Sequence, residues 1–329
     1  MKTLIGLLLS VLLYPSTLKA EEVGMTPYIV GGSDADVANY PFMASLMFEY
    51  ESTPGIIYPF CGGSVLDATH ILTAAHCVYG TASFQVPSMK VAIGVNNGQD
   101  MLMAQKVAVK NIYYPSDYND STLVNDVAVL ELSQPLPTYA LVNEVTLASS
   151  GDEALYRNET EDFTIVGYGR LGTNQKNPNL QFMEATVNYA SAANCGKWQG
   201  ITITDKLICT KGKAPDPPIS DSNLVTATCQ GDSGGPLVWS DNGVKTQIGI
   251  VSFGPSICGQ PNQSNGDPLA AQSVFTDVSQ YKDWILQAQR GEFAPTTSAT
   301  PNSGSSGGAL TFGGLLALYI FGFSRRKLS

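Results

Sequence analysis

The chain has 329 residues, with 18 Lys and Arg against 28 Asp and Glu, for a formal net charge of −10. That length suits one large or two small domains, and a balance this acidic argues against a nucleic-acid partner. Six cysteines form an even set that suits pairing in an oxidising compartment, and neither they nor the two histidines show a zinc-ligand spacing, so no metal and no cofactor is expected.

The N-terminus reads as an export signal. Met1-Lys2 gives a positive start, Leu4 to Leu13 an apolar core, and Leu18-Lys19-Ala20 a cleavage site ending in a small residue. The apolar core is too short for a comfortable membrane span. Residues 1–20 are therefore expected to be removed, leaving a short stretch, 21–28, before Ile29-Val30-Gly31-Gly32.

From Tyr40 the chain reads as short strands separated by turn residues. Phe42–Phe48, Gly63–Leu66, Ile71–Thr73, Val91–Val95, Lys106–Val109 and Val127–Leu132 are the runs of the first half, with Asn96-Asn97-Gly98 as one of the turns. A second set comprises Phe163–Gly169, Gln181–Val187, Pro236–Trp239, Gln247–Gly254 and Ser273–Val278. Many short strands with regular punctuation and no long helical period indicate an all-β barrel or sandwich. Tyr281–Gln289 is the exception, an amphipathic helix with Trp284, Ile285 and Ala288 on its inner face.

The chemistry concentrates in Cys229-Gln230-Gly231-Asp232-Ser233-Gly234-Gly235-Pro236. A serine among glycines has an exposed hydroxyl and bare backbone around it, so a carbonyl can approach main-chain N–H groups. A serine hydroxyl needs a base to act as a nucleophile. Only His70 and His76 could serve. His76 lies in Thr73-Ala74-Ala75-His76-Cys77, and an orienting acid is offered by Asn125-Asp126-Val127-Ala128-Val129-Leu130. His70 reads as structural or surface.

These three motifs, in this order, resemble the trypsin/chymotrypsin-like (S1) serine proteases, and the resemblance covers about residues 29–290. It implies two six-stranded antiparallel β-barrels with a C-terminal helix and the active site between them. It implies Ser233 as nucleophile, His76 as general base and acid, Asp126 as its orienting partner, and the N–H groups of Gly231 and Ser233 as the oxyanion hole. It pairs Cys61 with Cys77, Cys195 with Cys209 and Cys229 with Cys258, a connectivity that spacing alone leaves open. It makes residues 21–28 an activation propeptide, cut between Tyr28 and Ile29 so that the new α-amino group pairs with Asp232. Polypeptides are the implied substrates, with Ser252-Phe253-Gly254 as the strand that pairs with them.

The implied specificity departs from trypsin. The position that reads Arg or Lys in that family is Ala227 here, followed by Thr228, with Gly254 at the pocket mouth and Ser273 near its base. An uncharged pocket favours apolar or aromatic side chains, and Tyr28 before the cut agrees. The alternative is a basic preference restored by Asp267, which lies in a long segment from Gly259 to Gln272. A catalytically silent homologue acting as a surface binding module is the rival from another class, but such proteins usually lose a member of the Ser-His-Asp set, and all three are present. An esterase or a transpeptidase would use the same acyl chemistry, though the peptide-pairing strand argues for peptides.

Residues 291–306 read by composition as a flexible linker. Gly307-Gly308, an apolar run from Ala309 to Phe323 and Arg325-Arg326-Lys327 follow. This tail, 307–329, resembles the GlyGly-CTERM sorting signal of Gram-negative bacteria. That resemblance implies a short transmembrane segment, removal by a rhomboid-type sorting protease, type II secretion, and release or retention at the cell surface. A permanent C-terminal anchor and a eukaryotic lipid-anchor signal are the alternatives. Asn119-Asp120-Ser121, Asn158-Glu159-Thr160 and Asn262-Gln263-Ser264 are sequons, meaningful only in a eukaryotic secretory pathway.

Overall fold

The computed structural model describes residues 29–138, 143–170, 180–196, 198, 200–214, 224–255, 257–260 and 271–300. Two closed six-stranded antiparallel barrels account for most of them. A short edge strand β1 (Ser33–Asp34) precedes the first barrel, which consists of β2 (Met43–Phe48), β3 (Tyr58–Asp67), β4 (His70–Thr73), β5 (Met89–Ile93), β6 (Val107–Tyr113) and β7 (Ala128–Leu132). Its order is β6-β5-β2-β3-β4-β7, closed by β6 pairing with β7. A two-residue β8 (Thr146–Leu147) leads to the second barrel: β9 (Asp162–Gly167), β10 (Met183–Ala190), β11 (Leu207–Gly212), β12 (Pro236–Asp241), β13 (Val244–Phe253) and β14 (Gln272–Asp277). Its order is β10-β11-β14-β13-β12-β9, closed by β10 against β9.

Strand alternation explains the barrels. Along β10 the residues Met183, Ala185, Val187 and Tyr189 are buried, while Glu184, Thr186 and Asn188 point outward. Closure leaves no free edge around either barrel. The first interior is filled by Met43, Leu46, Ile71, Leu72, Val91 and Leu130 among others, and the second by Phe163, Ile165, Ile208, Leu237, Ile248 and Phe275.

Some elements were not legible as such. The turn Asn96-Asn97-Gly98 also starts a helix, α1 (Gly98–Met103), because the Asn97 side chain accepts from the Asp100 N–H at 3.0 Å. A single turn, α2 (Glu153–Tyr156), precedes β9. Strand β11 mixes Thr210 and Lys211 with its apolar residues and lacks a clean alternation. The expected terminal helix is present as α3 (Lys282–Gln289); Ile285 and Ala288 are fully buried, while Trp284 is only partly covered and stacks on Phe293 at 6.0 Å.

Residues read as the start of a linker run instead along the first barrel. A last strand, β15 (Thr297–Ser298), pairs with Ile112 and Asn111 of β6. The N–H groups of Thr296 and Ala299 donate to the carbonyls of Ile112 and Lys110, each at 2.8 Å. Residues 301–306, the tail 307–329 and the export segment lie outside the described residues. Among the described residues no helix is long and apolar enough to cross a membrane.

Candidate active site

His76 sits on a 3-10 turn, Ala75–Cys77, directly after β4. The Cys61–Cys77 disulfide ties that turn to β3. Asp126 approaches from just before β7 and is fully buried. Its carboxylate accepts three hydrogen bonds: from the His76 backbone N–H at 2.8 Å, from His76 Nδ1 at 2.8 Å and from Ser252 Oγ at 2.5 Å. An ionised carboxylate only accepts, so the imidazole proton is on Nδ1 and Nε2 is left as a base. Burial opposes charging of His76, but Asp126 through its charge and hydrogen bond, with a further contribution from Asp120, raises the imidazole pKa above its ordinary 6.5.

The backbone around Asp126 is held from the second barrel. Thr276 Oγ1 donates to the Asp126 carbonyl at 2.8 Å. Asn125, at φ +60°, accepts on Oδ1 from Tyr281 Oη at 2.7 Å and from Lys206 Nζ at 3.1 Å. Lys206 and Tyr281 were not singled out in the sequence, since each gains its meaning only when α3 and β11 are folded against Asn125.

The loop of Ser233 is seated on β3 and β4, the strands that lead to His76. The Ser233 carbonyl accepts from the Gly62 N–H of β3 at 2.8 Å, and Gly62's own carbonyl accepts from Thr73 Oγ1 at 2.8 Å. Gly234, at φ +76°, fits against this pair only without a side chain, because a Cβ there would lie 2.2 Å from Thr73 Oγ1 and 2.7 Å from the Gly62 carbonyl. Thr73 is three residues before His76, so the fit carries the serine loop to the base. Two tight turns, Asp232 N–H to the Cys229 carbonyl at 3.0 Å and Gly235 N–H to the Asp232 carbonyl at 2.9 Å, shape the loop without using the N–H of Gly231 or Ser233. Those two amides are the expected oxyanion donors.

Asp232 is buried beneath the loop. It accepts from the N–H of Gly169 at 2.8 Å and of Cys229 at 2.9 Å. Gly169 must lack a side chain, since a Cβ there would fall 2.4 Å from the carboxyl carbon. Burial pushes the Asp232 pKa up to about 6, against the pull of the two amides. Ile29 is fully buried in the second barrel's core, and Val30 bridges Ala227 through a 3.1 Å backbone bond. Tyr28 lies outside the described residues.

Beside Ser233 is a cavity of about 110 Å³ lined by Thr228–Gln230, Val251–Pro255 and Cys258. Ser252, Phe253 and Gly254 form one wall. At its end the Thr228 Oγ1 donates to Ser273 Oγ at 2.9 Å, and a Cβ on Gly254 would be 3.9 Å from both oxygens. Ala227 is buried just behind, in a cluster with Val30, Val225, Cys229, Cys258 and Ala271. No charged side chain lines the cavity among the described residues; Asp267 lies outside them. Trp198 packs edge-on to Phe253 at 5.2 Å, a contact the sequence did not signal. All three expected disulfides are formed: Cys61–Cys77, Cys195–Cys209 and Cys229–Cys258. His70 lies away from this constellation, bound through Nδ1 to Asp67 at 2.9 Å.

A nucleophile loop, a buried acid on a histidine and a peptide-length wall between two β-barrels define a serine endopeptidase. The family model described as Trypsin matches residues 29–285. Chymotrypsin-2 of Vespa crabro is 32% identical over 262 residues, covering 79% of this chain and 100% of its own length. Trypsin-1 of Astacus astacus is 32% identical over 263 residues, covering 78% and 98%. Chymotrypsin-C of Bos taurus is 30% identical over 264 residues, covering 79% and 88%. The chain belongs to the trypsin family of serine proteases.

Proposed function

We propose that the protein is an exported, zymogen-type serine endopeptidase that cleaves after apolar or aromatic residues. Ser233 Oγ attacks the scissile carbonyl carbon as its proton passes to His76 Nε2, and Asp126 stabilises the imidazolium. The carbonyl oxygen, now negative, is received by the Gly231 and Ser233 amides. His76 gives the proton to the departing amine, the C–N bond breaks, and an acyl-Ser233 remains. Water then repeats the sequence: its proton goes to Nε2, its oxygen bonds the acyl carbon, and Ser233 leaves with the proton.

The uncharged pocket end carries the specificity reading. Thr228 and Ser273 offer two mutually bonded hydroxyls, with the buried Ala227 behind them, so a buried Arg or Lys would be left without a counter-charge. Two features support the zymogen reading. Asp232 is buried with amide donors only, and among the described residues no cation bonds it. Ile29, a β-branched residue, is held at φ +41° in the uncut chain. That conformation is unfavourable while a carbonyl precedes it, and cutting after Tyr28 removes the carbonyl and creates the ammonium Asp232 needs. Tyr28 itself fits the proposed specificity, which supports self-activation.

Export rests on the N-terminal signal pattern and is in keeping with the three disulfides. Sorting by a rhomboid-type protease and type II secretion in a Gram-negative bacterium rest on the Gly307-Gly308, apolar and basic order of the tail.

The test is digestion of a peptide library by the chain beginning at Ile29, beside Ser233→Ala. Cleavage after Tyr, Phe or Leu that Ser233→Ala lacks is the expected result. Cleavage after Arg or Lys would overturn the specificity reading. Ser233→Ala precursor that is still cut before Ile29, in a host without related proteases, would overturn self-activation.

A further inference from the structure

After α3 the chain crosses the first barrel as a strap that includes β15, and the strap fills an edge the barrel leaves open. Strand β5 stays paired with β6 only at Val107 and Ala108, while β7 holds the other edge of β6 from Val109 to Tyr113. The freed edge at Ile112 and Asn111 is where Thr297 and Ser298 pair. Thr296 Oγ1 also accepts from the Tyr114 N–H at 3.2 Å and donates to the Tyr114 carbonyl at 3.3 Å. Thr300, the last described residue, donates its N–H to the Ser83 carbonyl at 3.3 Å. The strap thus fixes one exit point for the chain, beside Ser83.

The surface around that exit differs from the rest of the molecule. Phe84 is 74% exposed and Tyr79 49%, both on the loop between the His76 turn and β5. Tyr79 packs at 5.8 Å on Tyr114, the residue the strap grips, so the exposed rings and the strap share one face. The chain has a formal charge of −10, yet Asp100 is the only acid between Asp67 and Asp117, against Lys90, Lys106 and Lys110, and no acid follows Glu292. Asp100 lies past the end of β5 away from the Phe84 loop, where it accepts from the Asn96 N–H at 2.9 Å. Glu131 of β7 reaches this side and is matched by Lys110 at 2.5 Å. The acidic surface resumes at Asp120, which accepts from the Tyr118 hydroxyl.

Eight residues, 301–308, separate Thr300 from the apolar run Ala309–Phe323. Eight residues span at most about 28 Å, so the run begins within that distance of the strap's end. Anionic lipid repels an acidic protein, and a face poor in carboxylates approaches it at the least cost. Aromatic side chains settle at the depth of the headgroups. Resting on the reading of the tail as a short transmembrane segment, we propose that the face formed by Tyr79, Phe84 and the strap lies against the lipid surface that the tail enters, with Phe84 among the headgroups. The strap decides which side of the enzyme meets the bilayer, because it carries the exit of the chain from the end of α3 to this face.

The experiment uses the exported form, 21–329, with Ser233→Ala to keep the chain from cutting itself, in vesicles of phosphatidylglycerol and brominated phosphatidylcholine. Phe84→Trp is compared with Val244→Trp, an exposed position at the start of β13 in the second barrel, each read as the emission it adds to that of the parent chain. The chain is expected to float with the vesicles, with the emission added by Phe84→Trp quenched by the bromines and that added by Val244→Trp untouched. Thr296→Pro combined with Ala299→Pro removes the two N–H groups that bind the strap to β6. That variant is expected to float as well and to lose most of the quenching of Phe84→Trp. Equal quenching at the two positions, or quenching of Phe84→Trp that survives the paired prolines, overturns the docking face and leaves the reading of the tail standing. A folded chain that stays off the vesicles overturns both.

Discussion

Two carboxylates of the site, Asp126 and Asp232, are fully buried, and they are provided for differently. Asp126 has three donors, one of them an imidazole that can become a cation, so its charge is met within the fold as drawn. Asp232 has two amides, and burial lifts its pKa to about 6. The first region is complete in the uncut chain; the second, among the described residues, has no cation bonded to its carboxylate. On the proposed activation, such a fold finishes its base early and leaves its nucleophile loop to be finished by the cut before Ile29.

Breaking the first region should have the largest effect. Asp126→Asn presents an amide to His76 and favours the wrong tautomer, so kcat for a good peptide is expected to fall about 10⁴-fold with the fold intact. Because the Asp126 charge is what raises the His76 pKa against burial, the acid limb of kcat/KM lies above pH 6.5 in the wild type. Activity rises with pH through that limb as His76 loses its proton, and a pH–rate profile checks it.

The second region sharpens the comparison through stability. In the uncut chain the folded pKa of Asp232 is raised from 3.8 to about 6, so the fold binds a proton that the unfolded chain has released. The uncut chain should therefore lose up to roughly 3 kcal/mol as pH rises from about 4 to 6, and keep that loss above it. Urea unfolding across this range reads it. The loss should be absent in uncut Asp232→Asn. On the proposed pairing of the Ile29 ammonium with Asp232, it should reverse in the cleaved chain.

Ser252→Ala removes one donor from Asp126 and leaves the other two. A hydrogen bond to a charged group is worth about 1.5–3 kcal/mol, so kcat/KM should fall by about ten- to a hundredfold, less than in Asp126→Asn. Ending the chain at Gly291 should leave kcat unchanged, because β15 touches neither carboxylate. It removes the Thr296 and Ala299 backbone bonds and the Phe293 stack on Trp284, and should lower Tm by about 2–6 °C.

Much of the site was legible because its parts are local in sequence. The serine among glycines, the histidine beside a cysteine and the buried acid each announce their chemistry within a few residues, and the barrels follow from short punctuated strands. What escaped depends on distant partners. Thr73 and Gly62 seat the serine loop from strands β3 and β4, and Lys206 and Tyr281 brace Asn125 from β11 and α3. None of these has a local signature. Residues 293–300 misled for a different reason: a Thr-, Ser- and Pro-rich composition reads as a spacer, but two residues of pairing against an available length of β6 are enough to fix it there. The tail and Tyr28 lie outside the described residues, and their reading rests on the sequence.

The most direct test is covalent labelling of the chain cut before Ile29 with a fluorophosphonate, followed by peptide mapping. The account expects a single adduct, on Ser233, formed far more slowly in Asp126→Asn and in the uncut chain. A folded, cut protein that takes no label, or takes it on another residue, would contradict the assignment of Ser233, His76 and Asp126 as one catalytic unit.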